Sequence, residues 1–303
     1  MIPAMAKRGY NVGYAAAATA TAGGIGIIIP PSIPMVIYGV SGQQSISKMF
    51  MAGIIPGILI AIGLSVMHFF LCRNLKTEGL DWSMKTFIHS LRDGFWSILA
   101  PVIILGGIYA GIFTPTEAGG VGVLYCLIVG KFVYKGLRKE HFVPILRETI
   151  SGTATVMLII VSATVFGYYL NWENIPTMLL NAVSSFASNK FLVLLVMNVV
   201  LLIVGMFLEG GAALIILAPL MVPIVKAAGI DLVHFGIVCN VNIMIGGLPP
   251  PFGSMMFTCV SITGCKMQEF IKECVPFIIA LLIALLLLTY IPGITMLIPN
   301  LIY

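Results

Sequence analysis

Hydrophobic positions fill the chain in runs too long and too uniform for a water-soluble fold. Four stretches, 49–72, 95–113, 118–134 and 274–292, are apolar over nearly their whole length, and about 20 such residues cross a bilayer as a helix. A fifth, 149–170, is similar but carries Ser151, Thr153, Thr155, Ser162 and Thr164. Three further stretches are interrupted. Residues 11–40 contain Pro30-Pro31 and Pro34, and residues 232–260 contain Pro249-Pro250-Pro251. Residues 191–225 exceed one crossing and are cut by Glu209-Gly210-Gly211. The pattern predicts two proline-broken helices and one re-entrant hairpin among ordinary spans. Segments 73–93 and 173–189 read as helices lying in the interface, and Trp82, Trp96 and Trp172 fall near predicted membrane boundaries, where Trp is favoured.

Composition narrows the function classes. Of 303 residues, 59% are hydrophobic and 9% charged, and the mean hydropathy is +1.09. A soluble domain carries about 25% charged residues, so a soluble enzyme, a nucleic-acid binder and a disordered chain are excluded. An all-α polytopic protein of the lipid bilayer is expected. Six cysteines form no C-x-x-C pair and four histidines are scattered, so no metal centre and no cofactor are expected. The spans hold no H-E-x-x-H motif, which disfavours an intramembrane enzyme. No basic n-region with a cleavage site opens the chain, so no cleaved signal peptide is expected. Lys and Arg favour cytoplasmic loops. If residues 7–8, 73–92, 131–147 and 266–272 face the cytoplasm, all of the 16 Lys and Arg except Lys48, Lys190 and Lys226 lie on that side.

The chain also repeats itself. Residue i set against residue i+220 gives 13 ungapped identities over the first 58 positions, where this composition yields about 4–5 by chance. The matches include Gly9/Gly229, Gly26/Gly246, Pro30/Pro250, Pro31/Pro251 and Pro56/Pro276. These are residues that shape the backbone, not interchangeable aliphatics. Counting crossings, the first copy starts on the cytoplasmic side and the second outside, so the repeat is inverted, as in many secondary transporters. Subtracting 220 from the hairpin tip places its mate before Met1. The first copy is therefore expected to lack its hairpin arm and tip, with more chain upstream.

A double proline at membrane depth frees carbonyls that need protein, water or an ion. Glycines four residues earlier, Gly26 and Gly246, let the backbone unwind. Carbonyls of Gly26 to Ile29 and of Gly246 to Pro249 suit a small hard cation such as Na⁺. The following half-helices, opening at Pro31-Ser32 and Pro251-Phe252, offer free N–H groups that favour a carboxylate. In the hairpin tip, Gly205, Gly210 and Gly211 permit tight backbone, and Glu209 is an ionisable group at membrane depth. Thr114-Pro115-Thr116-Glu117 fits a helix-capping box, with a contribution of Thr116 to substrate binding as the alternative. Asn240 and Asn242 are either ligands or interhelical hydrogen bonds.

Segments 23–39 (GGIGIIIPPSIPMVIYG), 111–119 (GIFTPTEAG), 205–224 and 229–253 resemble the large membrane subunit, DctM type, of tripartite ATP-independent periplasmic (TRAP) transporters. The resemblance covers essentially the whole chain. It implies an inverted-repeat elevator-type transporter, similar to the ion transporter superfamily, and a Na⁺-coupled importer of organic acids such as C4-dicarboxylates or sugar acids. The implied partners are a small membrane subunit and a periplasmic substrate-binding protein, and the implied location is the bacterial inner membrane. By match to the family, cation roles fall on Gly26, Ile29, Pro30, Gly205, Gly246 and Pro249, and substrate roles on Ser32, Glu209, Gly210 and Thr116. The family usually has Thr where this chain has Pro249, which removes a hydroxyl from the second ion site. Residues 1–72 are expected to form the latter part of the first repeat, 73–190 interfacial helices and connecting spans, and 191–303 the second repeat. Two other functions fit the same residues: a stand-alone Na⁺/divalent-anion symporter, or a non-transporting fragment or scaffold.

Overall fold

The computed structural model describes residues 1–73, 83–175, 177–178 and 189–302. It divides into two compact units, one of Met1–Glu78 with Ser162–Tyr303 and one of Gly79–Val161. Among the described residues every regular element is a helix, and seven helices are long and apolar enough to cross a membrane. The chain is an all-α polytopic membrane protein.

The first unit begins with α1 (Ile2–Ala6) and α2 (Val12–Gly24), which runs into a tight turn at Ile25–Ile27. The first double proline follows, then α3 (Ile33–Ser41) and α4 (Ile46–Cys72). In the second unit, α5 (Met84–Tyr109) and α6 (Pro115–Ile128) pack side by side, and α6 continues through a wider turn at Val129–Val133. The 73–93 segment was expected as a separate interfacial helix. Instead α5 starts at Ser83, whose hydroxyl caps it, and continues unbroken into the apolar run; residues 74–82, including Trp82, lie outside the described residues. Tyr125 and Tyr134 tie these helices together by donating to the carbonyls of Trp96 and Asp93. The helix α7 (Lys139–Trp172) carries the chain back to the first unit. Most of the 173–189 segment lies outside the described residues.

The second half of the first unit is a helical hairpin, α8 (Lys190–Phe207) and α9 (Gly210–Ala227), then α10 (Leu232–Gly246), α11 (Ser254–Thr263), α12 (Met267–Tyr290) and α13 (Pro292–Ile302). Residues Val233–Gly246 are all buried, as expected of a helix apolar on every side. Around this central helix pack α8, α9, α12, α4 and α3.

Local geometry repeats at the spacing found in the sequence. Gly9 and Gly229 both take left-handed φ, +88° and +66°, and each is followed two residues later by a helix cap. Asn11 accepts from the N–H groups of Gly13 and Tyr14, and Asp231 from those of Val233 and His234. The Pro30-Pro31 and Pro250-Pro251 peptides are both cis. Packing is reciprocal as well: α2 lies on α12 while α10 lies on α4, so each repeat's first helix packs on the other repeat's last. Reciprocity of this kind is what a two-fold relation produces.

Candidate functional site

The two breaks meet. Gly24, at the end of α2, lies against Met244 of α10; a Cβ on Gly24 would stand 2.8 Å from Met244 Cγ and 3.7 Å from Met255 Sδ. Positions 24 and 244 are equivalent by the repeat, and a residue touching its own equivalent marks the axis relating the two copies.

Around that point the chain uses glycine for backbone contact. A Cβ on Gly246 would stand 2.7 Å from both Cα and the carbonyl carbon of Gly205, and 3.1 Å from the Leu202 carbonyl oxygen. No side chain fits at 246, and at 205 a Cβ would be tight, 3.2 Å from the Gly246 Cα, so α8 and α10 touch main chain to main chain. Gly210, at the start of α9, rests on Ile243 of α10, and Gly211 faces Ile37 of α3. The hairpin tip, the second break and the second half of the first broken helix thereby converge. Gly26 differs from its mate Gly246: it is exposed, with nothing within 4 Å of a Cβ placed on it. Ile29 is exposed and lays its side chain on Gly57 of α4, and Pro30 is buried.

The two half-helices after the breaks also differ. Ser32 is 3% exposed. Its hydroxyl accepts from the Met35 N–H and donates to the Ile27 carbonyl, so it caps α3 and satisfies a carbonyl freed by the break. The first turn of α11 has no side-chain cap, although one of its N–H groups, that of Met255, donates to the Gly247 carbonyl at 3.0 Å. Its capping position is Gly253, where a Cβ would stand 2.6 Å from the Pro249 carbonyl oxygen and 2.8 Å from that of Gly247. The folded-back loop leaves no room for a capping side chain. Next to this open end is a cavity of about 330 Å³ lined by Thr19, Gly23, Ser254, Met255, Thr258 and Cys259.

Glu209 is exposed at the hairpin tip, and its carboxylate accepts from the N–H groups of Gly211 and Ala212 as the cap of α9. Thr116 belongs to the second unit and is exposed in the first turn of α6. Beside it Thr114 and Glu117 complete the capping box, with Glu117 accepting from the Thr114 N–H at 2.8 Å. Asn242 joins a buried network: its amide donates to Asn198 Oδ1 at 2.7 Å, Asn198 donates to Thr289 Oγ1, and His234 contacts both the Thr289 carbonyl and the Thr295 hydroxyl. Asn240 donates to the Gly236 carbonyl within its own helix. Sequence reasoning missed Asn198 and Thr289, although each is a polar residue set in an unbroken apolar run. It also missed Thr19 and Ser254, which carry no signal until α2 and α11 are placed together.

Residues 1–294 match the family model described as the tripartite ATP-independent periplasmic transporter, DctM component. The chain belongs to the DctM family. This DctM chain is 42% identical to the isethionate TRAP transporter permease protein DctMQ of Oleidesulfovibrio alaskensis, over 97% of its own length and 47% of that protein. It is 40% identical to the sialic acid TRAP transporter large permease protein SiaM of Vibrio cholerae and 38% identical to the C4-dicarboxylate TRAP transporter large permease protein DctM of Pseudomonas aeruginosa, over 99% of its length and 70% of theirs. It thus spans about half the length of the first of these relatives. The family is one of bacterial multi-span transporter permeases, and the DctM chain is not an enzyme.

Proposed function

We propose that this DctM chain forms the ion- and substrate-handling part of a Na⁺-coupled elevator importer of small organic anions in the bacterial inner membrane. It works with a small membrane subunit and receives its cargo from a periplasmic binding protein. The observation that carries this reading is the meeting of two broken helices at a shared axis, with one of them opening a helix N-terminus that has no side-chain cap beside a cavity that the Thr19 and Ser254 hydroxyls line. Free N–H groups at such an end favour an anion, and the Thr19 and Ser254 hydroxyls line the same cavity, whereas the Thr258 hydroxyl donates to the Ser254 carbonyl within its own helix. Main-chain oxygens near Gly205 and Gly246 are the groups a small hard cation takes. Ser32 and Glu209 act here as caps of α3 and α9, shaping the site from outside the cargo's path. Relatives named for isethionate, sialic acid and C4-dicarboxylate share an acidic group on a small polar body, which is the class proposed.

The test is uptake of labelled isethionate, sialic acid and a C4-dicarboxylate into proteoliposomes containing the permease and its partner subunits. Uptake of one of them should require a Na⁺ gradient, and Ser254→Ala should raise its half-saturation concentration several-fold with thermal stability preserved, in line with about 0.5–1.5 kcal/mol for one hydrogen bond. Transport unchanged when Na⁺ is replaced by choline would sink the coupling, and a Ser254→Ala chain with parental affinity would move the cargo elsewhere.

A further inference from the structure

At the far end of α2 from the break, about 16 Å along the helix, three metal-ligating side chains converge. Tyr14 Oη lies 2.6 Å from His68 Nδ1. Cys72 Sγ lies 3.1 Å from the same phenol oxygen and 3.8 Å from His68 Nδ1. His68 and Cys72 are one helical turn apart on α4 and so share a face, while Tyr14 comes from the first turn of α2. The Tyr10 ring stacks over both Tyr14 and His68. His68 also lines a cavity of about 660 Å³ that reaches Met1, Met5, Ser65 and Phe277, and Cys72 is half-buried. Solvent can therefore reach the cluster, and the cysteine is not an inert core residue.

We propose that Tyr14, His68 and Cys72 form a zinc site that joins the start of α2 to the end of α4. The three donor atoms, separated by 2.6, 3.1 and 3.8 Å, lie on a circle of about 1.9 Å radius, slightly smaller than zinc–ligand bonds of about 2.0–2.3 Å. A cation therefore reaches all three at normal bond lengths from just above their plane. The 3.8 Å separation of sulfur and nitrogen corresponds to an angle of about 120° at such a metal, whereas the phenol oxygen, 2.6 and 3.1 Å from them, subtends only about 80° and 90°, so Tyr14 must draw back by roughly 1 Å to complete a tetrahedral set. Binding transfers the Cys72 thiol proton to water and forms the sulfur–zinc bond. His68 gives its Nδ1 lone pair with the ring proton held on Nε2, and Tyr14 gives a neutral phenol oxygen. A fourth position remains for water. A ligand set of one thiolate, one imidazole and one oxygen selects zinc over the hard cations of the breaks.

The experiment uses the untagged full chain in detergent, with Cys126→Ser, Cys259→Ser and Cys265→Ser removing the other accessible thiols, and Cd²⁺ as a spectroscopic stand-in for Zn²⁺. One equivalent of Cd²⁺ should bind with a thiolate charge-transfer band and raise the melting temperature. His68→Gln and Cys72→Ser should each weaken binding about tenfold or more, and Tyr14→Phe should weaken it less. Where a variant fails to fold, the parent chain still answers: Zn²⁺ should slow maleimide labelling of Cys72, read by mass spectrometry of its peptide. No bound equivalent, affinity unchanged in both His68→Gln and Cys72→Ser, dependence on Cys72 alone, or unprotected labelling would each overturn the site.

Discussion

Equivalent residues in the two repeats meet different neighbours, and the difference decides what each tolerates. At position 246 a methyl group would strike the backbone of Gly205, which cannot give way as a flexible side chain does. Gly246→Ala should destabilise the chain by about 1–3 kcal/mol, the usual cost of overpacking. At position 26 the same methyl group meets nothing within 4 Å, and Gly26→Ala should stay within about 0.5 kcal/mol of the parent. Thermal unfolding in detergent checks both, and a Gly246→Ala chain that melts with the parent would remove the backbone-contact account. Sequence alone singled out both glycines as places where a ligand comes close. It could not separate them, because what lies against a glycine depends on helices far away in the chain. Asn198 makes the same point: its partners Asn242 and Thr289 are 44 and 91 residues distant.

At the scale of elements, the broken helices and the hairpin were legible because prolines and glycines fix backbone shape directly. The 34-residue α7, expected only from residue 149, starts at Lys139; its first turns mix Phe142, Val143, Ile145 and Leu146 with Lys139, Glu140, Arg147, Glu148 and a proline at 144, which breaks the apolar run that marks a span. Capping was legible where the residue type is unambiguous, as at Thr114 and Glu117. It was not legible at Ser32 and Glu209, since a polar residue near a helix start can bind cargo or bind its own helix, and only the hydrogen bonds decide. Two substitutions separate those roles. Ser32→Ala should cost about 0.5–2 kcal/mol, as loss of a cap does, with little change in substrate affinity. Gly253→Ala should cost more, because its new methyl group would press on the carbonyls of Pro249 and Gly247. Equal melting temperatures for the two variants would contradict this ordering.

For the first unit as a whole, the spacing of 220 residues was readable in the sequence from a handful of prolines and glycines. The contact that closes the two copies on each other was not, because Gly24 and Met244 are unremarkable in their own segments. Their proximity predicts that Gly24→Cys with Met244→Cys, in a chain otherwise free of cysteine, forms an intramolecular disulfide under mild oxidation, since the side chains approach within bonding range. Failure to cross-link would displace the axis from this point. The unequal helix starts at Ser32 and Gly253 have a consequence of another kind. A single segment cannot have its tip both latched by a hydroxyl and left vacant for a visitor. Two copies can divide those duties, and once divided they are no longer exchangeable: if the second start receives cargo as proposed, a chimera carrying the first start in both places would be rigid but have nowhere to receive it, and one carrying the second in both would have two doors and no latch.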